Sequence, residues 1–301
     1  MRIGLALGGG GAKGFFHIGV LKALTSLGIK IHSISGTSIG ALIGALYALH
    51  LDAKKVEELT LAILNKYKKE IEVLKGYSGS SDVEEKRLFL EKSFDFVKEI
   101  YLWNLRIIKP YLVNPKPFLR VFKELLGLAT FNECKISFQC SAVDLMKGEL
   151  ISLERGFLYK AVMASCSLPG FFPPLRMKEK LLIDGGALAP VPSLLLRRKV
   201  DFVVGVSLES SWISHQEAKN AVEVMFMVDR IRYKKILEET IKEVDFLISF
   251  PHAPFKWTDF DKAESLIEMG EKETLAKEDE FIKIVKKYRR RKLFFFFLGR
   301  R

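Results

Sequence analysis

The first fifty residues predict an α/β protein of three layers, with helices on both faces of a central, mostly parallel sheet. Ile3 to Leu7 is a short apolar run bounded by glycine, the pattern of a buried parallel strand, and Ile29 to Ser35 reads as a second strand. Each strand gives way to a glycine-rich turn, Gly9-Gly10-Gly11-Ala12-Lys13-Gly14 and Gly36-Thr37-Ser38-Ile39-Gly40. After each turn the apolar spacing becomes helical, through Ile18, Leu21, Leu24 and Leu27 to a stop at Gly28, then through Leu42, Leu46 and Leu49. Two strand–turn–helix units in succession open a parallel sheet.

The later elements follow in order. From about Asp52 to Leu128 the chain is helical and charge-rich, with breaks at Gly76 to Asp82 and near Pro110 to Pro117, and this region is expected as a helical cap. Strands are expected at Ile136 to Val143, Leu150 to Leu153, Leu181 to Ile183 and Phe202 to Leu208, with a helix around Tyr159 to Ala164 and a proline-rich turn from Leu168 to Pro174. Beyond Glu217 helices predominate around a strand at Phe246 to Phe250, and one last helix starts near Asp261. The expected organisation is one domain over 1–285 followed by a tail over 286–301.

The composition, 49% hydrophobic and 28% charged, excludes disordered and fibrous classes, while a net charge of +12 points to an anionic partner. Cys134, Cys140 and Cys166 form an odd set without paired metal spacing, so neither a disulfide framework nor a metal site is expected, and no cofactor is implied. No apolar run approaches the roughly 20 residues of a membrane span. Met1 to Leu7 runs straight into the first glycine turn with no leader-like segment, which sets the expectation of a protein either cytoplasmic or peripheral on the inner face of the membrane.

Gly9-x-Gly11-x-x-Gly14 after a strand has the form of a dinucleotide loop, yet no carboxylate for a ribose follows before Asp52, and Lys13-Gly14 lacks the Ser or Thr of a phosphate loop. Consecutive glycines also let backbone amides converge on one point, as an oxyanion hole requires. Gly36-x-Ser38-x-Gly40 between an apolar strand and an apolar helix has the arrangement of a nucleophile elbow, and the helix N-terminus favours negative charge at Ser38. The bland reading is a turn with Ser38 as helix cap. A base is then needed. His17, His32, His50, His215 and His252 lack the setting of a catalytic loop, whereas Asp184 ends a short strand and is followed by Gly185 and Gly186, which leave its carboxylate unobstructed.

Taken together, Gly9 to Gly14, Gly36 to Gly40 and Asp184-Gly185-Gly186 resemble the patatin-like phospholipases. The resemblance extends through His17 to Leu24, Ala164 to Pro174 and Asp259 to Glu264, and is least from about Asn65 to Asn114 and in the tail. It implies a patatin-like fold and a Ser–Asp dyad without histidine. Ser38 would be the nucleophile, Asp184 the base, the amides of Gly9, Gly10 and Gly11 the oxyanion donors, and Lys13 the basic residue after the triple glycine. Lys13 stands where an arginine is usual, and Ala187 to Pro192 lacks the asparagines expected after the acid motif. The implied substrate is a lipid acyl ester, phospholipid or lysophospholipid. Two other readings stay open: a catalytically idle membrane-bound adaptor on the same fold, and a soluble carboxylesterase with a histidine base.

Residues 286–301 hold Lys286, Lys287, Arg289, Arg290, Arg291, Lys292, Arg300 and Arg301 with no carboxylate, beside Phe294 to Phe297. This pattern fits contact with an anionic membrane surface, and its bland reading is a helix end docked on the core. Nucleic acid is not an expected partner, because no recognition motif accompanies the basic residues.

Overall fold

The computed structural model describes residues 1–72, 74, 112–209 and 221–298. Its strands are β1 (Ile3–Leu7), β2 (Ile31–Gly36), β3 (Ser137–Asp144), β4 (Glu149–Leu153), β5 (Leu175–Met177), β6 (Lys180–Asp184), β7 (Phe202–Ser207) and β8 (Phe246–Ser249). The helices are α1 (Phe16–Ser26), α2 (Ile39–His50), α3 (Ala53–Lys66), α4 (Lys68–Glu72), α5 (Pro115–Leu126), α6 (Leu158–Ser165), α7 (Ala221–Lys242), α8 (Ala263–Leu275) and α9 (Glu278–Leu298).

One sheet runs β5-β6-β3-β2-β1-β7-β8, with β4 paired to β3 off that path. The five strands from β3 to β8 in this order are parallel, and β4, β5 and β6 join antiparallel. The period of two along β1 separates the layers: Ile3, Leu5 and Leu7 enter the main core with α1 and α2, while Ala6 enters a second core with Leu196, Val200 and Val203, against Leu237 and Ile241 of α7. Both faces of β1 and β7 are buried, which is why these strands read as continuous apolar runs.

Three differences from expectation have local causes. β5, Leu-Arg-Met, is too short to show a period and exists by pairing with β6. The last expected helix is two, because the chain turns at Ala276 and Lys277 to seat Phe281 against Phe202 and Phe246. No glycine or proline marks that turn. Within the expected cap, α3 and α5 pack sideways into the main core through Val56, Ile63, Val121, Phe122 and Leu126, and Lys66 pairs with Glu124 between them. Asp52 and Asn114 cap these helices by accepting the N–H groups of Lys55 and Lys116. The rest of that cap, 73 and 75–111 with the break at Gly76 to Asp82, lies outside the described residues.

Candidate active site

Sheet register brings the two candidate residues together. β2 ends with Gly36 opposite Cys140 of β3, and on that same edge of β3, two residues further on, β6 arrives antiparallel with Asp184 opposite Ala142. β4 occupies the other edge along Cys140 to Asp144. Ser38, two residues past the end of β2, therefore meets Asp184 at the carboxyl edge of the sheet.

Ser38 adopts φ 54 and ψ −124, a conformation costly for a residue with a side chain and tolerated where packing enforces it. Close backbone approach enforces it here. A Cβ on Gly36 would lie 2.5 Å from the Cα and N of Ala41, and one on Gly40 would lie 2.3 Å from the Leu7 oxygen. The Ser38 N–H donates to Ser165 Oγ at 3.0 Å. Thr37 locks the elbow from beneath: its hydroxyl donates to the Ala189 oxygen at 2.7 Å and lies 2.6 Å from Ser141 Oγ.

Asp184 is 3% exposed. Burial pushes its carboxyl up to about 6, and hydrogen bonding from the Gly186 N–H, at 2.7 Å, and from Ser38 opposes that rise. Gly185 has no room for a side chain, since a Cβ would stand 2.0 Å from Ser141 Oγ. The segment after the acid motif is pinned by its carbonyls: Ala189, Pro190 and Pro192 accept from Thr37, Gly9 and Ser35. These contacts are made by backbone oxygens, so the departure of Ala187 to Pro192 from the family pattern leaves them intact.

The glycine loop requires one correction. The Gly9 N–H donates to the Pro190 oxygen at 3.1 Å and is spent, so Gly10 and Gly11 are the members of the expected trio with amides left for a ligand. Gly11, at φ 58, lies against Trp257, whose carbonyl accepts the Ala12 N–H at 2.7 Å. Gly14 fits beside Ile39, where a Cβ would approach to 2.3 Å. The Lys13 Nζ stands 5.5 Å from the Phe250 ring centroid and is drawn electrostatically to Glu209, which braces the loop toward the end of β8.

His17, His32 and His50 have other places. His17 is buried beneath the loop with Nε2 2.8 Å from the Gly8 oxygen, and burial lowers its pKa to about 4, so it is neutral. His32 accepts the Ile3 N–H at the amino edge of the sheet, and His50 closes α2 at the end away from Ser38. His252 follows the edge strand β8, and His215 lies outside the described residues.

Sequence reasoning did not assign roles to Ser165, Cys166, Trp257 or Tyr233. Ser165 and Cys166 flank the proline-rich motif, which is the signal that marks them. Cys166 hydrogen-bonds with Ser38, while burial and the nearby Asp184 carboxylate keep its thiol protonated. Half-buried Tyr233 of α7 is within electrostatic reach of Asp184 and Glu209, and no local motif announces it.

The fold thus builds a mostly parallel α/β sheet with a strained serine at its carboxyl edge, a buried carboxylate beside it and a glycine loop next to it. The patatin-like phospholipase family model matches residues 5–197, and the chain belongs to that family. An uncharacterized NTE family protein of Mycobacterium bovis is 28% identical over 70% of this chain and 50% of its own length. Lysophospholipase NTE1 of Pyricularia oryzae is 29% identical over 61% of this chain and 10% of its own. This chain thus spans half or less of these relatives. VipD from Legionella pneumophila, a solved structure, has TM-score 0.45 and 16% identity, covering 95% of this chain and 67% of that one.

Proposed function

We propose that the chain is a serine hydrolase of lipid acyl esters, of phospholipase A or lysophospholipase type. The observation that carries the reading is a strained serine next to a buried carboxylate whose pKa lies near 6. Ser38 Oγ attacks the acyl carbonyl while Asp184 takes its proton. The Gly10 and Gly11 amides stabilise the oxyanion, each donor contributing ~3 kcal/mol in the transition state. Asp184 then returns the proton to the leaving alcohol, and the acyl group remains on Ser38. A water attacks the acyl-serine, Asp184 takes its proton, and Ser38 leaves reprotonated with the fatty acid released. No step calls for a metal or cofactor.

Family membership and the lysophospholipase relatives support a lipid ester over a short soluble one. No described helix is long and apolar enough to cross a membrane, so contact with lipid is proposed as peripheral, in keeping with an inner-face location. The tail supports such contact as an auxiliary tether. α9 docks through Phe281, Ile284, Val285 and Tyr288, and the Tyr288 hydroxyl donates to the Asp201 oxygen at the amino edge of the sheet, away from Ser38. The side chains of Phe294 to Phe297 lie outside the described residues.

A fluorophosphonate probe is expected to label the wild type and not Ser38→Ala, whereas an idle adaptor would leave both unlabelled. The pH profile tests the base. Because Asp184 acts ionised, kcat/KM for a soluble ester should fall about tenfold per pH unit below a pKa of about 6 and be level above it. A profile flat down to pH 4.5 would exclude Asp184 as base.

A further inference from the structure

We infer that the amino half of α7 is the face that rests on an anionic bilayer and presents the site to it. The inference rests on the hydrolase reading for its purpose and on separate observations for its location. β7 and β8 are parallel neighbours, so the chain returns from the carboxyl edge of the sheet to the amino edge between them, and α7 makes that return. Its first turns therefore lie at the edge that carries Ser38 and Asp184. Tyr233, on the inner side of the same helix, is within electrostatic reach of Asp184.

The outward row of α7 changes character along its length. Val224, Val228 and Ile231 follow at helical spacing and are 49%, 40% and 62% exposed, with Met225 beside them at 72%. The next residue of the row is Lys235, paired with Glu238, and Lys242 pairs with Glu239 further on. The apolar stripe thus occupies only the half nearest the site, and charged groups take over toward the amino edge. Exposed Arg232 and Lys234 flank the change, against Asp229 among the exposed residues from Val224 to Lys235. An apolar face two turns long with cations at its margin is the form of an interfacial helix, its side chains reaching the acyl boundary and its cations meeting lipid phosphates. The basic tail leaves from the opposite edge, so a bilayer held by the tail alone would not face Ser38.

The test is co-sedimentation of the full chain, as Ser38→Ala, with vesicles of phosphatidylglycerol and phosphatidylcholine, so that binding is read without hydrolysis. Val228→Glu with Ile231→Glu is expected to lower partitioning at least about tenfold. Truncation after Tyr288 should lower it less. In the active protein the same pair of substitutions should leave hydrolysis of a soluble short-chain ester within about twofold of the parent while vesicle hydrolysis falls with binding. Val228→Ser with Ile231→Ser repeats the test without added charge. Unchanged partitioning in both paired variants would overturn the inference, as would an equal loss on tail truncation. A dimer of the wild type that the paired variants dissociate would assign the stripe to a second copy of the chain instead.

Discussion

Ser38→Ala and Asp184→Asn are each expected to reduce ester turnover by on the order of 10⁴-fold, and the double variant little further, because a nucleophile and its base fail as a unit. The two single variants should differ in stability. Burial raises the Asp184 carboxyl from 3.8 in the unfolded chain to about 6. Below pH 3.8 both states hold the proton and the group is neutral toward folding. Between 3.8 and about 6 the folded state binds the proton that the unfolded state has released, so stability falls as pH rises, and above about 6 the full cost of a buried carboxylate is present. Asp184→Asn removes that cost while keeping an oxygen for the Gly186 N–H, and should raise stability at pH 8 by about 3 kcal/mol and by nothing at pH 3.5. Urea unfolding at the two pH values, beside hydrolysis of a short-chain ester, checks both halves. An Asp184→Asn protein with turnover near wild type would refute the dyad, and retained loss in His252→Ala would point to a histidine base.

The stability side also explains what the sequence makes legible. The elbow can be read because its constraints are local and expressed as residue identity: Gly36 and Gly40 are glycines since backbone atoms occupy the space of a Cβ. Asp184 can be read because the residue after it, Gly185, has no room for a side chain against Ser141. The parallel strands announce themselves through burial on both faces. What cannot be read is made by backbone acceptors, which any residue supplies. The carbonyls of Pro190 and Trp257 decide which glycine-loop amides are spent, and no side chain reports them. The amide of Gly9 is indistinguishable in the sequence from those of Gly10 and Gly11, and only the fold shows that it is bonded to the Pro190 oxygen. Likewise the turn between α8 and α9 is imposed by the seat of Phe281 on β7 and β8, through residues compatible with continuing helix.

Gly19→Ala and Gly270→Ala are expected to destabilise the protein by on the order of 3 kcal/mol each, although neither residue is in the site. A Cβ on Gly19 of α1 would lie 1.9 Å from the Ile267 oxygen, and one on Gly270 of α8 would lie 2.1 Å from the Phe16 oxygen. Each obstacle is backbone, so neither can rotate away, and the two helices would have to separate along their whole crossing. Gly28 supplies the control. It has open space and φ 68, so Gly28→Ala meets only the cost of a left-handed conformation, about 1 kcal/mol. Chemical denaturation should rank Gly19→Ala and Gly270→Ala well below Gly28→Ala, and equal midpoints would refute the backbone contact. The consequence reaches the site because α1 follows directly on the glycine loop, and Phe16, its first residue, is the one that Gly270 touches. Separation at this crossing moves the base of the loop that carries Gly10 and Gly11, so turnover should fall even where the fold survives. The family match ends at residue 197, but α8 lies beyond it and holds α1 in place. A fragment ending at Arg197 would therefore expose the Gly19 face of α1 and should neither fold stably nor hydrolyse esters.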